Sequence, residues 1–154
     1  MKTIRLTRGK VAVVDEEDYK TLSQNNWFFD GLYAARRVER NGVGQKIYMH
    51  RLIMNTPKGL QTAHLNQDKL DNRRQNLRVC TKSQNTANKP KTSGSKNRYK
   101  GVKKQILAES WIARITYNKE TRHLGSFKTP ELAARAYNEA AAKYFGEFAY
   151  FNKV

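Results

Sequence analysis

Residues 61–88 constrain the fold more than any other part of this chain. Gln61-Thr-Ala-His-Leu-Asn-Gln-Asp-Lys-Leu-Asp-Asn-Arg-Arg-Gln-Asn-Leu-Arg78 runs directly into Val79-Cys-Thr-Lys-Ser-Gln-Asn-Thr-Ala-Asn88. Residues 61–65 read as a strand and 66–71 as a loop, where Asn and Asp favour turns. Residues 76–87 are predicted to enter a helix. A strand hairpin followed by a helix is compact enough to gather His64, Asn76 and Asn85 around one phosphate-sized anion. A lone histidine is most often a structural group. The two asparagines, with Asp71-Asn-Arg-Arg74 between them, lift His64 above that reading.

Charge narrows the partner. The 154 residues carry 30 Lys and Arg against 13 Asp and Glu, a formal net charge of +17. Such an excess suits a polyphosphate, because binding releases condensed counterions. The cations are also concentrated: 82–104 holds Lys82, Lys89, Lys91, Lys96, Arg98, Lys100, Lys103 and Lys104 and no acid. A lone cysteine, Cys80, rules out a disulfide framework within one chain. Together with His50, His64 and His123 it lacks zinc-ligand spacing, so no zinc is expected. Cys80 itself reads as a buried small residue. Neither a signal peptide nor a long apolar span is visible. The expectation is a soluble intracellular protein with no membrane partner.

The flanking segments divide the chain. Ile4-Arg-Leu6 and Lys10-Val-Ala-Val-Val14 read as short strands around Gly9, and Asp15 as the cap of a helix with acids in its first turn. Trp27-Phe-Phe29 and Tyr33-Ala-Ala-Arg-Arg37 suggest further strands, and Asn41-Gly42 a hairpin turn with basic flanks. Residues 47–54 fit a strand or a helix equally. Residues 89–97 read as a linker, because Pro90 stops a helix and Ser and Gly loosen the chain. Beyond it, residues 99–103, 110–117 and 121–125 are strand candidates, with Asn118-Lys-Glu120 as a tight connection. Thr129 caps a helix that opens on Pro130 and ends at Gly146. Leu132, Ala133, Ala136, Tyr137, Ala140, Ala141 and Tyr144 follow the spacing of one buried face. Alternation along 110–117 points Trp111, Ala113 and Ile115 toward that helix and Arg114 and Thr116 away from it, with Thr121 and His123 outward on the next strand.

The order His64, Asn76, Asn85 resembles the HNH nuclease motif. Tyr99-Lys-Gly-Val, Trp111-Ile-Ala-Arg-Ile, His123-Leu-Gly-Ser-Phe, Pro130-Glu-Leu-Ala-Ala-Arg-Ala-Tyr and Ala140-Ala-Ala-Lys-Tyr-Phe-Gly-Glu-Phe-Ala resemble the ethylene-response-factor type of DNA-binding domain. Together the chain resembles a phage- or mobile-element-type HNH homing endonuclease carrying that domain at its C-terminus. The resemblance implies an α+β protein with three parts. Residues 1–89 would be an HNH (ββα-metal) nuclease domain and 90–97 a basic linker. Residues 98–154 would be a three-stranded antiparallel sheet packed on one helix. It further implies a bacterial cytoplasm or phage-infected cell, double-stranded DNA as partner, and a monomer or weak dimer that nicks.

The same resemblance assigns roles. His64 is the general base, Asn76 holds its other ring nitrogen, and Asn85 is a ligand of one Mg²⁺ or Mn²⁺. His50 and Arg51 belong to a His-Arg pair that recurs upstream of such sites, so His50 lies near the phosphate or serves packing. Lys82, Lys89, Lys91 and Lys96 are expected as phosphate contacts, and Arg98 as a further DNA-binding residue. Lys100, Lys103, Arg114, Thr116, Thr121 and His123 form the DNA-reading face. The residue before His64 should be a metal-binding carboxylate and is Ala63, whose methyl cannot bind a hard cation. This implies an impaired enzyme, and the intact surroundings favour an introduced Asp→Ala change over natural decay. The alternative is a non-catalytic sequence-specific DNA-binding protein, such as a transcription regulator.

Overall fold

A computed structural model describes residues 1–91 and 98–154. Residues 92–97, Lys96 among them, fall within the expected linker and lie outside the described part. Two compact units emerge, Met1–Lys82 and Ser83–Val154. The fold is α+β, and each unit is described separately.

In the first unit, β1 (Lys2–Arg5) and β2 (Val11–Val14) pair antiparallel, and α1 (Glu16–Leu22) follows. Asp15 does not cap α1 with its side chain; its Oδ2 instead accepts the Arg74 N–H at 2.8 Å, which ties the helix start to the later loop. A second sheet runs β3 (Phe28–Phe29), β4 (Ala34–Arg40), β5 (Val43–Tyr48). Asn41 and Gly42 make its turn with φ of 51° and 72°, as that dipeptide favours. The ambiguous 47–54 stretch resolves into the end of β5 and a short helix, α2 (Met49–Ile53). β6 (Gln61–His64) pairs with β7 (Leu77–Cys80). A helix predicted to begin near residue 76 is therefore corrected. Leu77–Cys80 is extended because it pairs along β6, and α3 starts only at Lys82 (Lys82–Ala87).

The core of this unit gathers Ile4, Ala12, Val14, Leu22, Trp27, Ala34, Met49, Ile53 and Leu77. Each large apolar side chain buried there is worth about 1.5–3 kcal/mol. The buried Trp27 indole donates to the Leu22 carbonyl at 2.8 Å, which spares it an unmet donor. Val13 of β2 bonds both sides of the loop after β6: its N–H donates to Leu70 and its carbonyl accepts from Asn72, each at 2.8 Å.

In the second unit the sheet order is β10 (Glu120–Phe127), β9 (Ser110–Tyr117), β8 (Val102–Gln105), all antiparallel. One helix, α4 (Pro130–Phe145), covers it, and Thr129 caps that helix by accepting the Leu132 N–H. Ala133, Ala134, Tyr137 and Ala141 are buried with Val102, Ala113 and Ile115. Leu132, expected on the buried face, is corrected to exposed, because Ala133 and Ala134 take the inward positions of the first turn. Gly101 has φ of 76°, and a Cβ there would strike the Tyr137 ring and the Arg114 carbonyl, so no larger residue fits. Asn152 closes the unit: its side chain bonds the backbone of Lys100, while its own backbone bonds the Asn138 side chain.

Candidate active site and nucleic-acid interface

His64 ends β6, and its side chain is 1% exposed. Its Nε2 lies 3.2 Å from Oδ1 of Asn72, itself fully buried. The amide orientation follows from its other end, since Asn72 Nδ2 donates to the Leu70 carbonyl at 3.3 Å. The Asn72 oxygen must accept, so the neutral His64 ring carries its proton on Nε2 and its lone pair on Nδ1.

A second imidazole and Tyr33 pack against that ring, with Tyr48 behind them. His50 of α2 meets His64 edge-on with centroids 5.1 Å apart. Tyr33 lies 4.7 Å from His50 and 6.0 Å from His64, and Tyr48 stacks on His50 at 5.7 Å. Burial pushes His64 down to about 4, against an ordinary value of 6.5. Burial, and then the neighbouring His64, push His50 down to about 3. Both imidazoles are therefore neutral near pH 7. His50 Nδ1 is buried without a hydrogen-bond partner among the described residues.

Asn76 does something other than expected. Its Oδ1 accepts the Asn66 N–H at 2.9 Å and its Nδ2 donates to the Asp71 carbonyl at 2.8 Å. It clips the two ends of the 66–73 loop together, and Asn72 on that loop is what touches His64. The assignment of Asn76 to the ring nitrogen is thus corrected: both ends of its amide already serve the loop backbone. The motif seen in the sequence gives neither Asn72 nor Tyr33 a place in the site. Asn72's position depends on Val13, far away in the chain, and no local pattern signals it.

The loop is braced electrostatically. Arg73 grips Asp71 through Nε at 2.8 Å and Nη2 at 2.7 Å. The Arg73 guanidinium holds the Asp71 carboxyl below its ordinary value. Arg74 reaches Asp18 on α1 at 2.7 Å. Arg51 donates to the Leu60 carbonyl at 2.8 Å and reaches those of Thr56 and Pro57 at 3.4 Å, so it shapes the loop before β6.

Metal ligation fits poorly around His64. Ala63 is buried and offers only a methyl. Asp71 is committed to Arg73 and Asn66. Among the described residues no group of three or more His, Cys, Asp or Glu could hold an ion. A Mg²⁺-like cation wants an oxygen-rich shell, and imidazoles and one amide do not supply it. Asn85 lies on α3, in the second unit.

In the second unit, the side chains that alternation turns outward lie at the surface. Arg114, Thr116, Thr121, His123 and Lys103 are exposed. His123 stands opposite Arg114, Lys103 opposite Ile112, and the Thr116 and Thr121 hydroxyls meet at 2.9 Å. Arg98 is exposed and lies over the Tyr99 ring. Lys89 is exposed and Lys91 half-buried, and Lys82 is exposed at the end of the first unit. Lys100 is corrected. Its ammonium donates to the carbonyls of Thr86, Ala87 and Lys89 at 3.2, 2.6 and 2.7 Å, capping the C-terminus of α3 rather than facing outward.

Comparison with known proteins agrees with this architecture. The HNH endonuclease family matches residues 48–87, which run from the end of β5 through α3. An uncharacterized HNH endonuclease, L560, of Acanthamoeba polyphaga mimivirus is 31% identical over 149 residues, covering 96% of this chain and 77% of that protein. The chain belongs to the HNH endonuclease family. A stretch of 49 residues is 47% identical to the ethylene-responsive transcription factor ERF122 of Arabidopsis thaliana, covering 30% of this chain and 26% of that protein. No solved structure matches. Among the described residues no helix is long and apolar enough to cross a membrane.

Proposed function

We propose that the chain is a homing-type, sequence-specific DNA endonuclease weakened by Ala63. In this reading His64 Nδ1 takes the proton of the attacking water, a role that needs a neutral, fixed imidazole. Asn72 accepts the Nε2 proton and stabilises the imidazolium that forms. The buried His64–Asn72 pair carries the proposal, because it selects the tautomer whose Nδ1 lone pair has the chemistry of a base. The Mg²⁺ or Mn²⁺ expected of HNH enzymes, with Asn85 as one ligand, meets no fitting carboxylate beside His64. The charge on the phosphate is then poorly offset, and cleavage should be slow. Arg114, Thr116, Thr121 and His123 would read base edges in the manner of an ethylene-response-factor-type sheet, and Lys82, Lys89 and Lys91 would hold phosphates. A monomer offers one His64 and should nick one strand.

Ala63 supports a second reading, a DNA-binding protein that does not cut. Incubating supercoiled DNA with the chain and with Ala63→Asp, with and without Mg²⁺, separates them. Nicked circles from Ala63→Asp alone support the weakened enzyme. Intact plasmid from both, with binding retained, supports the binding protein.

A further inference from the structure

The first unit holds a second feature that this reading leaves unused. A shallow cleft of ≈ 700 Å³ opens between the 7–9 turn and the β3–β5 sheet, lined by Arg8, Phe28, Phe29, Asp30, Arg37 and Lys46 among others. Its cations outnumber its one acid. Lys46 pairs with Asp30 at 3.4 Å, while neither Arg8 nor Arg37 has a carboxylate partner among the described residues. Arg37 and Lys46 stand directly opposite each other across β4 and β5, an arrangement of like charges that costs a sheet stability. Arg8 is held at φ of 60°, where a residue with a Cβ is strained. The turn conformation of Arg8 serves the β1–β2 reversal, but three cations facing one open groove with a single acid favour an anionic ligand.

A chain of side-chain contacts links the cleft wall to the His64 cluster. Lys46 Nζ lies 5.8 Å from the centroid of Tyr48, Tyr48 stacks on His50 at 5.7 Å, and His50 meets His64 at 5.1 Å. Asp30, on the cleft wall, bonds the N–H of Tyr33, which packs on both histidines. From these contacts we infer that the cleft binds the phosphodiester backbone of duplex DNA beside the cleaved position, with Arg8 and Arg37 as its phosphate contacts. The chemistry matches: a file of cations along an open groove follows a chain of phosphates, whereas a small anion needs a closed pocket. The inference rests on the DNA-endonuclease reading, and it adds a sequence-independent anchor in the first unit to the face that reads bases in the second.

The test titrates the full chain, Arg8→Gln/Arg37→Gln and Arg114→Ala onto a duplex several helical turns long at several salt concentrations. Far-ultraviolet circular dichroism confirms that each variant folds. The double variant should lose affinity for specific and scrambled duplexes by the same factor, keeping its preference, with the slope of log affinity against log salt reduced by about two units. Arg37→Glu should weaken binding further. An unchanged slope in the double variant, with Arg114→Ala impaired, would overturn the cleft and leave the endonuclease reading intact. Failure of the unmodified chain to bind any duplex would remove both. Protection by millimolar inorganic phosphate of the cleft arginines from guanidine-directed labelling, with no protection by DNA, would make it a small-anion site and overturn the inference.

Discussion

Asn72 holds His64: the amide oxygen stands 3.2 Å from Nε2, deep in the first unit, and Asn76 instead clips the loop that carries Asn72. The two asparagines therefore have separable effects. In an Ala63→Asp background, Asn72→Ala should lower the cleavage rate about 10–100-fold, the usual loss when an orienting partner is removed. Duplex affinity should hardly move. Unchanged single-turnover cleavage by Asn72→Ala would show that the ring needs no such partner.

Asn76→Ala should act on stability first. It leaves the Asn66 N–H and the Asp71 carbonyl without their partner, and an unmet buried polar group costs about 1–3 kcal/mol. Urea unfolding should show a lower midpoint with an unchanged slope. If Asn76→Ala kept full stability yet abolished cleavage, its place would be in the chemistry rather than in the loop.

What was legible in the sequence and what was not divides along chain distance. The Asn41-Gly42 hairpin and α4, from Thr129 and Pro130 to Gly146, rest on local chemistry and can be read directly. The strand Leu77–Cys80 reads as helix until β6 is known to lie beside it. Lys100 looks like one more surface cation until the end of α3 comes within reach of its ammonium. In the site, His64 stands out because its spacing to Asn76 and Asn85 resembles the HNH motif. Asn72 escapes because its role depends on Val13 of β2 pinning the loop.

The buried histidines make the first unit acid-sensitive. In the folded protein His64 and His50 titrate at about 4 and about 3, against 6.5 for a free imidazole. The unfolded chain thus takes up protons below about 6.5 that the folded chain refuses. Stability from the neutral rings is full above that pH and falls as pH drops through 6.5 toward 4. Since one pKa unit is about 1.4 kcal/mol, the loss over that window is on the order of several kcal/mol. The melting temperature should fall between pH 7 and pH 5, and His50→Leu should flatten the fall. A melting temperature constant across that window in the unmodified chain would contradict the burial argument.

Ala63→Asp tests the catalytic assignment most directly. An aspartate there supplies the oxygen ligand that the strand position lacks, and Mg²⁺-dependent nicking of supercoiled plasmid should appear or rise by orders of magnitude. Adding His64→Ala should abolish that activity while binding stays within severalfold, because the base acts on water and not on docking. A large loss of affinity with unchanged cleavage would make His64 a binding residue.

Arg114 and Lys100 should part company in the second unit. Arg114 is exposed on the outer sheet face opposite His123, so Arg114→Ala should cost about 1–3 kcal/mol on the specific duplex and relax preference at one base pair. Lys100 spends its protons on three carbonyls at the end of α3, and burial lowers its ammonium to about 8, still charged near neutrality. Lys100→Met should therefore lower the unit's stability by about 1–3 kcal/mol while leaving the salt slope of DNA binding unchanged. A salt slope reduced by about one unit in Lys100→Met, with stability intact, would return Lys100 to the phosphate contacts.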